Sequence, residues 1–195
     1  MSKSFLALVV ISALAVAQLA CGGGSSGSSI VQTPVPSGQP TFSHVVLVME
    51  ENHSYSEVIG NSAMPYFNSL ASKYGLATQY FADAHPSIPN YLMLTTGQIE
   101  TLDDSFSGTI SDDNVVRELV KAGKTWKSYA DSLPSTGYVG ADVGEYVRRH
   151  NPFTFLSDVQ NSPTQMANLV SFSQFANDLA NNALPQYSFI APNLI

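Results

Sequence analysis

A chain of 195 residues with 44% hydrophobic side chains is long enough for one domain with a sizeable core. Eight basic residues against fifteen acidic ones leave a formal charge of −7, which argues against a nucleic-acid surface or a polybasic membrane patch. The single cysteine, Cys21, excludes an intrachain disulfide.

The first segment reads as an export signal. Lys3 supplies the positive start, and Phe5 to Ala17 is an apolar run too short for a confident membrane span. Leu19-Ala20-Cys21 followed by glycines looks like a lipoprotein processing site, with lipid on Cys21. Gln18 stands where such sites usually carry Leu, so cleavage after Ala17 is the competing reading. Residues 1–20 are thus expected to be removed, and 21–40, rich in Gly, Ser and Pro, to form a tether. The expected location is the periplasm or cell surface through a lipid anchor, or alternatively the secreted fraction. The folded domain is expected over 41–195.

His44 to Met49 is a continuous apolar run, predicted as a strand buried on both faces. It delivers Glu50, Glu51 and Asn52. Met64 to Gly75 predicts a helix with Pro near its start and a Gly cap. Ala77 to Ala82 predicts a second strand, carrying Asp83 and His85 towards Ser87. Pro89 to Thr96 predicts a helix ended by Gly97. Asn114 to Ala122 predicts another, ended by Gly123. Thr125 to Tyr129 reads as a short strand, Ser171 to Ala183 as an amphipathic helix, and Tyr187 to Ala191 as a last strand. Residues 97–113 and 132–144 read as polar loops over the site. Strands alternating with helices imply an α/β fold: a mainly parallel sheet with helices on both faces.

Two stretches carry chemistry. In His85-Pro86-Ser87-Ile88-Pro89-Asn90, prolines flank a serine just before a helix start. Free N–H groups and the positive dipole end favour an anion there, so Ser87 suits a nucleophile attacking phosphorus. The alternative is a proline-rich turn with a capping serine. In Glu50-Glu51-Asn52, oxygen donors stand at the carboxyl edge of a strand, where open α/β sheets bind ligands. Glu51 and Asn52 suit a hard divalent cation, or else simply face solvent. His85 is placed for general acid catalysis or for fixing its loop. Asp83 reads as a loop acid, and so do Asp103, Asp104, Asp112 and Asp113, which lack EF-hand spacing. Trp126 and Tyr129 read as core.

The order of these motifs resembles the phosphoesterase family, the acid phosphatase and phospholipase C-like group within the alkaline phosphatase-like superfamily. Thr125-Trp126-Lys127-Ser128-Tyr129, Arg149-His150-Asn151-Pro152-Phe153 and Leu184 to Leu194 match it as well. The resemblance implies that Glu51 and Asn52 bind a metal, that Ser87 is the nucleophile and that Asn90 donates to phosphoryl oxygens. In that context His150 contacts phosphate or substrate, or caps a solvated helix end. A phosphoserine intermediate and a divalent cation follow, be it calcium, magnesium, manganese or zinc. The implied substrate is a small phosphate monoester, with a phosphodiester such as a phospholipid head group as competitor; nucleic acid is not expected. The family's later Asp- and His-rich segment has no counterpart before Ile195. The expectation is therefore either a fragment of a longer enzyme or an anion-binding lipoprotein without turnover.

Overall fold

Four short segments rich in Val, Ile, Phe and Tyr make the sheet, because β-branched and aromatic side chains fit a pleated, buried surface. The computed structural model describes residues 42–193; the expected export signal and tether, with Cys21, lie outside them. In chain order the elements are β1 (Val45–Val48), α1 (Tyr55–Val58), α2 (Pro65–Tyr74), α3 (Ser87–Thr96), α4 (Val115–Lys121) and β2 (Trp126–Ala130). Two 3₁₀ turns follow, Arg148–His150 and Pro152–Phe155. Then come α5 (Ser157–Gln160), α6 (Pro163–Met166), β3 (Leu169–Ser171), α7 (Ser173–Ala180) and β4 (Tyr187–Ala191).

Among the described residues the strands form one sheet in the order β1-β4-β2-β3, with every pairing parallel. Parallel neighbours need long crossovers, and the helices supply them. Val45 faces Tyr187 across one ladder, and Trp126 faces Tyr187 across the next. Side chains alternate between the two faces with period two. Trp126, Ala130, Phe189 and Ala191 join the larger core with α3, α4 and the 3₁₀ turns. Tyr129, Val170 and Ile190 turn to the other face, against Phe175 of α7. Helices thus cover both faces, as an α/β reading requires.

The larger core anchors the site. Phe153 is fully buried and packs on Trp126 and Phe189, with ring centroids 5.1 and 5.2 Å away. Burying such a ring is worth about 1.5–3 kcal/mol, with more from the aromatic contacts. Ser128 donates to the buried Asn151 side chain at 2.9 Å, which pins the same turn to β2. His150 therefore leaves a fixed point. On α3, Ile88, Tyr91 and Leu92 bury one face, and Gly97 ends the helix at φ 76° with its N–H on the Met93 carbonyl.

Three expectations need correction. Residues 77–82 form no strand: they run as turn and extended chain, with Phe81 exposed. A strand requires a ladder for its backbone groups, and this segment pairs with none of the four strands. β1 lies at an edge of the described sheet, with Val45 39% and Val46 37% exposed, rather than buried on both faces. The predicted helix from Ser171 starts later, because Leu169–Ser171 is strand β3 and α7 begins at Ser173. Three residues are too few to show a period in sequence.

Candidate active site

The ladder continues past β1, where Met49 N–H donates to the Ile190 carbonyl at 3.0 Å. Glu51, two residues on, folds its carboxyl inwards against the 3₁₀ turn. Its Oε1 lies 3.0 Å from His150 Nε2, and the side chains are 11% and 7% exposed. The Tyr91 ring of α3 stacks on the His150 ring at 4.9 Å and 12°. Glu51 Oε2 is buried and has no hydrogen-bond partner. Burial raises the Glu51 pKa, against the opposing charge of Arg149. Burial and Arg149 together push His150 down to about 4. At neutral pH the imidazole is therefore uncharged, and its Nε2 rests against the carboxylate. Burial, with Glu51 beside it, drives the Tyr91 hydroxyl well above its ordinary range.

The start of α3 is the second part. Ser87 is the first helical residue, so α3 starts two residues earlier than the predicted Pro89, with Pro86 as N-cap and a cis His85–Pro86 peptide. Ser87 is half-buried and His85 exposed. The Ile88 N–H donates to Asp104 Oδ1 at 3.1 Å. Asp104 Oδ2 lies 3.2 Å from Arg149 Nε, and Arg149 Nη1 lies 3.4 Å from Asp142 Oδ2. The Asp104 approach is ionic rather than an aligned hydrogen bond, since Arg149 Nε is buried without a hydrogen-bond acceptor.

Adjacent residues thus serve both parts. Arg149 reaches the start of α3 through Asp104, and His150 holds Glu51. The first turn of α3, which opens with Ser87, and Glu51 are thus linked through one dipeptide. Asn90 has a different use from the one its motif implies. Its Oδ1 accepts from the Asp83 and Ala84 N–H groups at 2.9 and 3.3 Å. Its Nδ2 donates to the Ala84 and Pro86 carbonyls at 2.8 and 3.0 Å. Both amide hydrogens are committed to the loop that carries Ser87, which leaves none for a phosphoryl oxygen. Asn52 is exposed and sits at φ 68°, a left-handed conformation that Asn tolerates better than most residues.

Sequence reasoning took Asp104 for a loop acid and gave Arg149 no role of its own. Nothing local distinguishes Asp104 from Asp103; only the fold brings one of them to α3. A small cavity of ≈ 10 Å³ also opens at the ends of β2 and β4, with Asp131, Glu145, His150 and Asn193 in its lining.

The sequence profile of the Phosphoesterase family matches residues 61–195. The chain belongs to that family. Among its relatives is a phosphatidylinositol-3-phosphatase of Mycobacterium tuberculosis, 37% identical over 99% of this chain and 62% of that protein. A probable acid phosphatase of Kluyveromyces lactis is 34% identical over 78% of this chain and 38% of its own length. An acid phosphatase of Aspergillus fumigatus is 32% identical over 78% and 36%. The chain therefore spans between about a third and two-thirds of the length of these curated relatives.

The family match takes in Ser87, Asn90, Asp104, Arg149 and His150 of this phosphoesterase, while Glu51 and Asn52 precede it. Among the described residues there is no group of three or more His, Cys, Asp or Glu able to hold a metal ion. The donors present fit one side of a hard-cation shell: the buried, unpartnered Glu51 Oε2 is a ready oxygen ligand, and Asn52 follows it directly. His150 stands behind Glu51, with Nε2 3.0 Å from Oε1, as an outer contact of the kind that orients ligating carboxylates.

Proposed function

We propose that this phosphoesterase is an exported, metal-dependent phosphatase that hydrolyses phosphate monoesters through Ser87. The observation that carries the reading is the joining of two parts by Arg149 and His150: a hydroxyl at the start of α3 and a buried carboxylate with one unused oxygen. The names of the relatives, acid phosphatases and a phosphatidylinositol-3-phosphatase, support a monoester as substrate, free or on a phosphoinositide head group.

Glu51 and Asn52 would hold a divalent cation, which supplies positive charge that lowers the pKa of the serine hydroxyl and polarises the phosphoryl group. Ser87 Oγ attacks phosphorus, its proton leaves to solvent, and the bond from phosphorus to the leaving oxygen breaks. The leaving alkoxide takes a proton from His85, two residues ahead of the nucleophile. Water then attacks the phosphoserine, releasing inorganic phosphate and the free hydroxyl. The positive end of the α3 dipole and the nearby Arg149 charge would favour the negative charge that develops on the phosphoryl oxygens. His150 remains neutral and holds Glu51 in place.

Ser87→Ala is expected to abolish the phosphoenzyme and cut turnover of p-nitrophenyl phosphate by several orders of magnitude. A loss under about tenfold corresponds to under about 1.4 kcal/mol of barrier, too little for a nucleophile, and sinks the assignment. Inorganic phosphate binding without any wild-type turnover would instead identify an anion-binding protein. The lipid anchor is tested by mass spectrometry of the membrane fraction: a mature N-terminus at Gln18 with unmodified Cys21 refutes it.

A further inference from the structure

Asp104 lies in the loop between α3 and α4 and looks in sequence like one of several solvated acids. The fold gives it two partners that no other loop acid shares. Oδ1 accepts the Ile88 N–H, in the first turn of the helix that opens with Ser87, at 3.1 Å. Oδ2 faces Arg149 Nε at 3.2 Å. Asp103, one residue earlier, only closes its own turn, accepting from Ser105 N–H and Oγ at 2.9 and 2.6 Å.

From Arg149 the connection continues. His150 is the next residue, and its Nε2 lies 3.0 Å from Glu51 Oε1. The same His150 stacks on Tyr91, which stands one turn along α3 from Ser87. Asp104 and Tyr91 therefore join α3 to the Arg149–His150 dipeptide at two points, and two points fix the helix start against rotation. Without Asp104 the core packing of Ile88 and Leu92 and the ring stack would still hold α3, but the polar tie between its first turn and Arg149 would be lost. Arg149 would also lose one of its two carboxylate partners, leaving Asp142 at 3.4 Å.

We propose that Asp104 is a positioning residue of this site: its carboxylate spans the first turn of α3 and Arg149, and so sets the placement of Ser87 relative to Glu51. The inference rests on the phosphatase reading for its effect on turnover, but its geometry stands apart from that reading. A displacement of about 1 Å at a reacting group can cost about a hundredfold in rate. The loss should fall on kcat, because the substrate's other contacts remain.

The test uses the full-length protein with Asp104→Ala, Asp104→Asn and, as control, Asp103→Ala. Asp104→Ala is expected to lower kcat on p-nitrophenyl phosphate by about thirtyfold or more, with KM within about threefold. Asp104→Asn keeps an acceptor for the Ile88 N–H and is expected to recover much of that loss. Asp103→Ala is expected to leave kcat unchanged. Amide hydrogen exchange at Ile88, followed by NMR, should quicken in Asp104→Ala and return towards wild type in Asp104→Asn. Unchanged exchange at Ile88 in Asp104→Ala overturns the inference, whatever turnover does. Equal losses in the Ala and Asn variants, tracking a fall in Tm, overturn it too, since that pattern is general destabilisation. A wild-type protein with no turnover overturns the phosphatase reading instead, and the exchange measurement then decides the role of Asp104.

Discussion

Two buried carboxylates flank the same sheet and are treated in opposite ways. Asp178, on α7, is 5% exposed and fully partnered. Lys127 Nζ and the Tyr129 hydroxyl donate to its Oδ2, and Gln174 donates to Oδ1 at 2.9 Å. Burial alone would raise its pKa, but the hydrogen bonds from Lys127, Tyr129 and Gln174 outweigh burial and lower it. Glu51, on the opposite side, is less fully engaged: His150 Nε2 lies 3.0 Å from Oε1 and the Tyr91 hydroxyl approaches the carboxyl, yet Oε2 makes no aligned hydrogen bond and burial still raises the pKa. A carboxylate whose two oxygens are both hydrogen-bonded is a brace. One left half-used in a buried position costs stability, and that cost makes sense where a ligand is to be bound.

The sharpest way to break this contrast is Glu51→Gln. The substitution preserves shape and removes the buried charge. Turnover of p-nitrophenyl phosphate is expected to fall by about a hundredfold or more, while Tm stays level or rises, because an unsatisfied buried charge is costly to keep. A Tm drop comparable to that of an Asp178 variant would make Glu51 a brace like its counterpart.

The second test is Asp178→Ala. It strands the Tyr129 hydroxyl and the partly buried Lys127, and a cost of about 2–4 kcal/mol is expected in urea unfolding. Turnover per folded molecule should not change. The pH dependence carries the same sign information. A folded-state pKa below the ordinary ~3.9 of an aspartate means that the native state binds fewer protons than the unfolded one. The resulting stabilisation is complete above the unfolded pKa and is lost as pH falls through the folded one. Wild-type Tm should thus drop as pH is lowered below about 4, and Asp178→Asn should flatten that drop. An unaltered slope would show that Asp178 contributes nothing there and that Asp158, also lowered through its Arg117 hydrogen bonds, dominates.

The smallest stability effect is expected at Asn52. Glycine adopts its φ of 68° without strain, so Asn52→Gly should shift unfolding by under about 0.5 kcal/mol. It removes the amide oxygen, however, and turnover should still fall by about tenfold. Full activity in this variant would remove Asn52 from the site and leave Glu51 as its sole ligand here.

Much of the architecture was legible in the chain. The Val45–Val48 run, the Pro65 start of α2, the Asn114 cap whose side chain accepts from the Arg117 N–H, and the Gly97 stop of α3 all follow from local sterics and unpaired backbone groups. Ser87 and Glu51 were legible for the same reason: each sits at an element end whose position is written in neighbouring residues. Residues 77–82 were misread because a strand is decided by its partner. β3 was missed because three residues show no period. Asn90 was given a phosphate-binding role on motif alone, whereas the structure commits its whole amide to residues 83–86.

By itself, the sequence determined an α/β fold of the phosphoesterase family and the order of most elements, and it pointed to Ser87 and Glu51 as candidates at element ends. The tertiary structure alone decided that Glu51 meets His150, that Asp104 and not Asp103 holds the first turn of α3, and that β1 runs along an edge of the described sheet. The physical reason is range. Dihedral preferences, caps and periodicity act over a few residues and are therefore printed in the chain. Which carboxylate finds which partner depends on the strand order β1-β4-β2-β3 and on where Phe153 buries its ring, and those are properties of packing between segments that lie far apart in sequence.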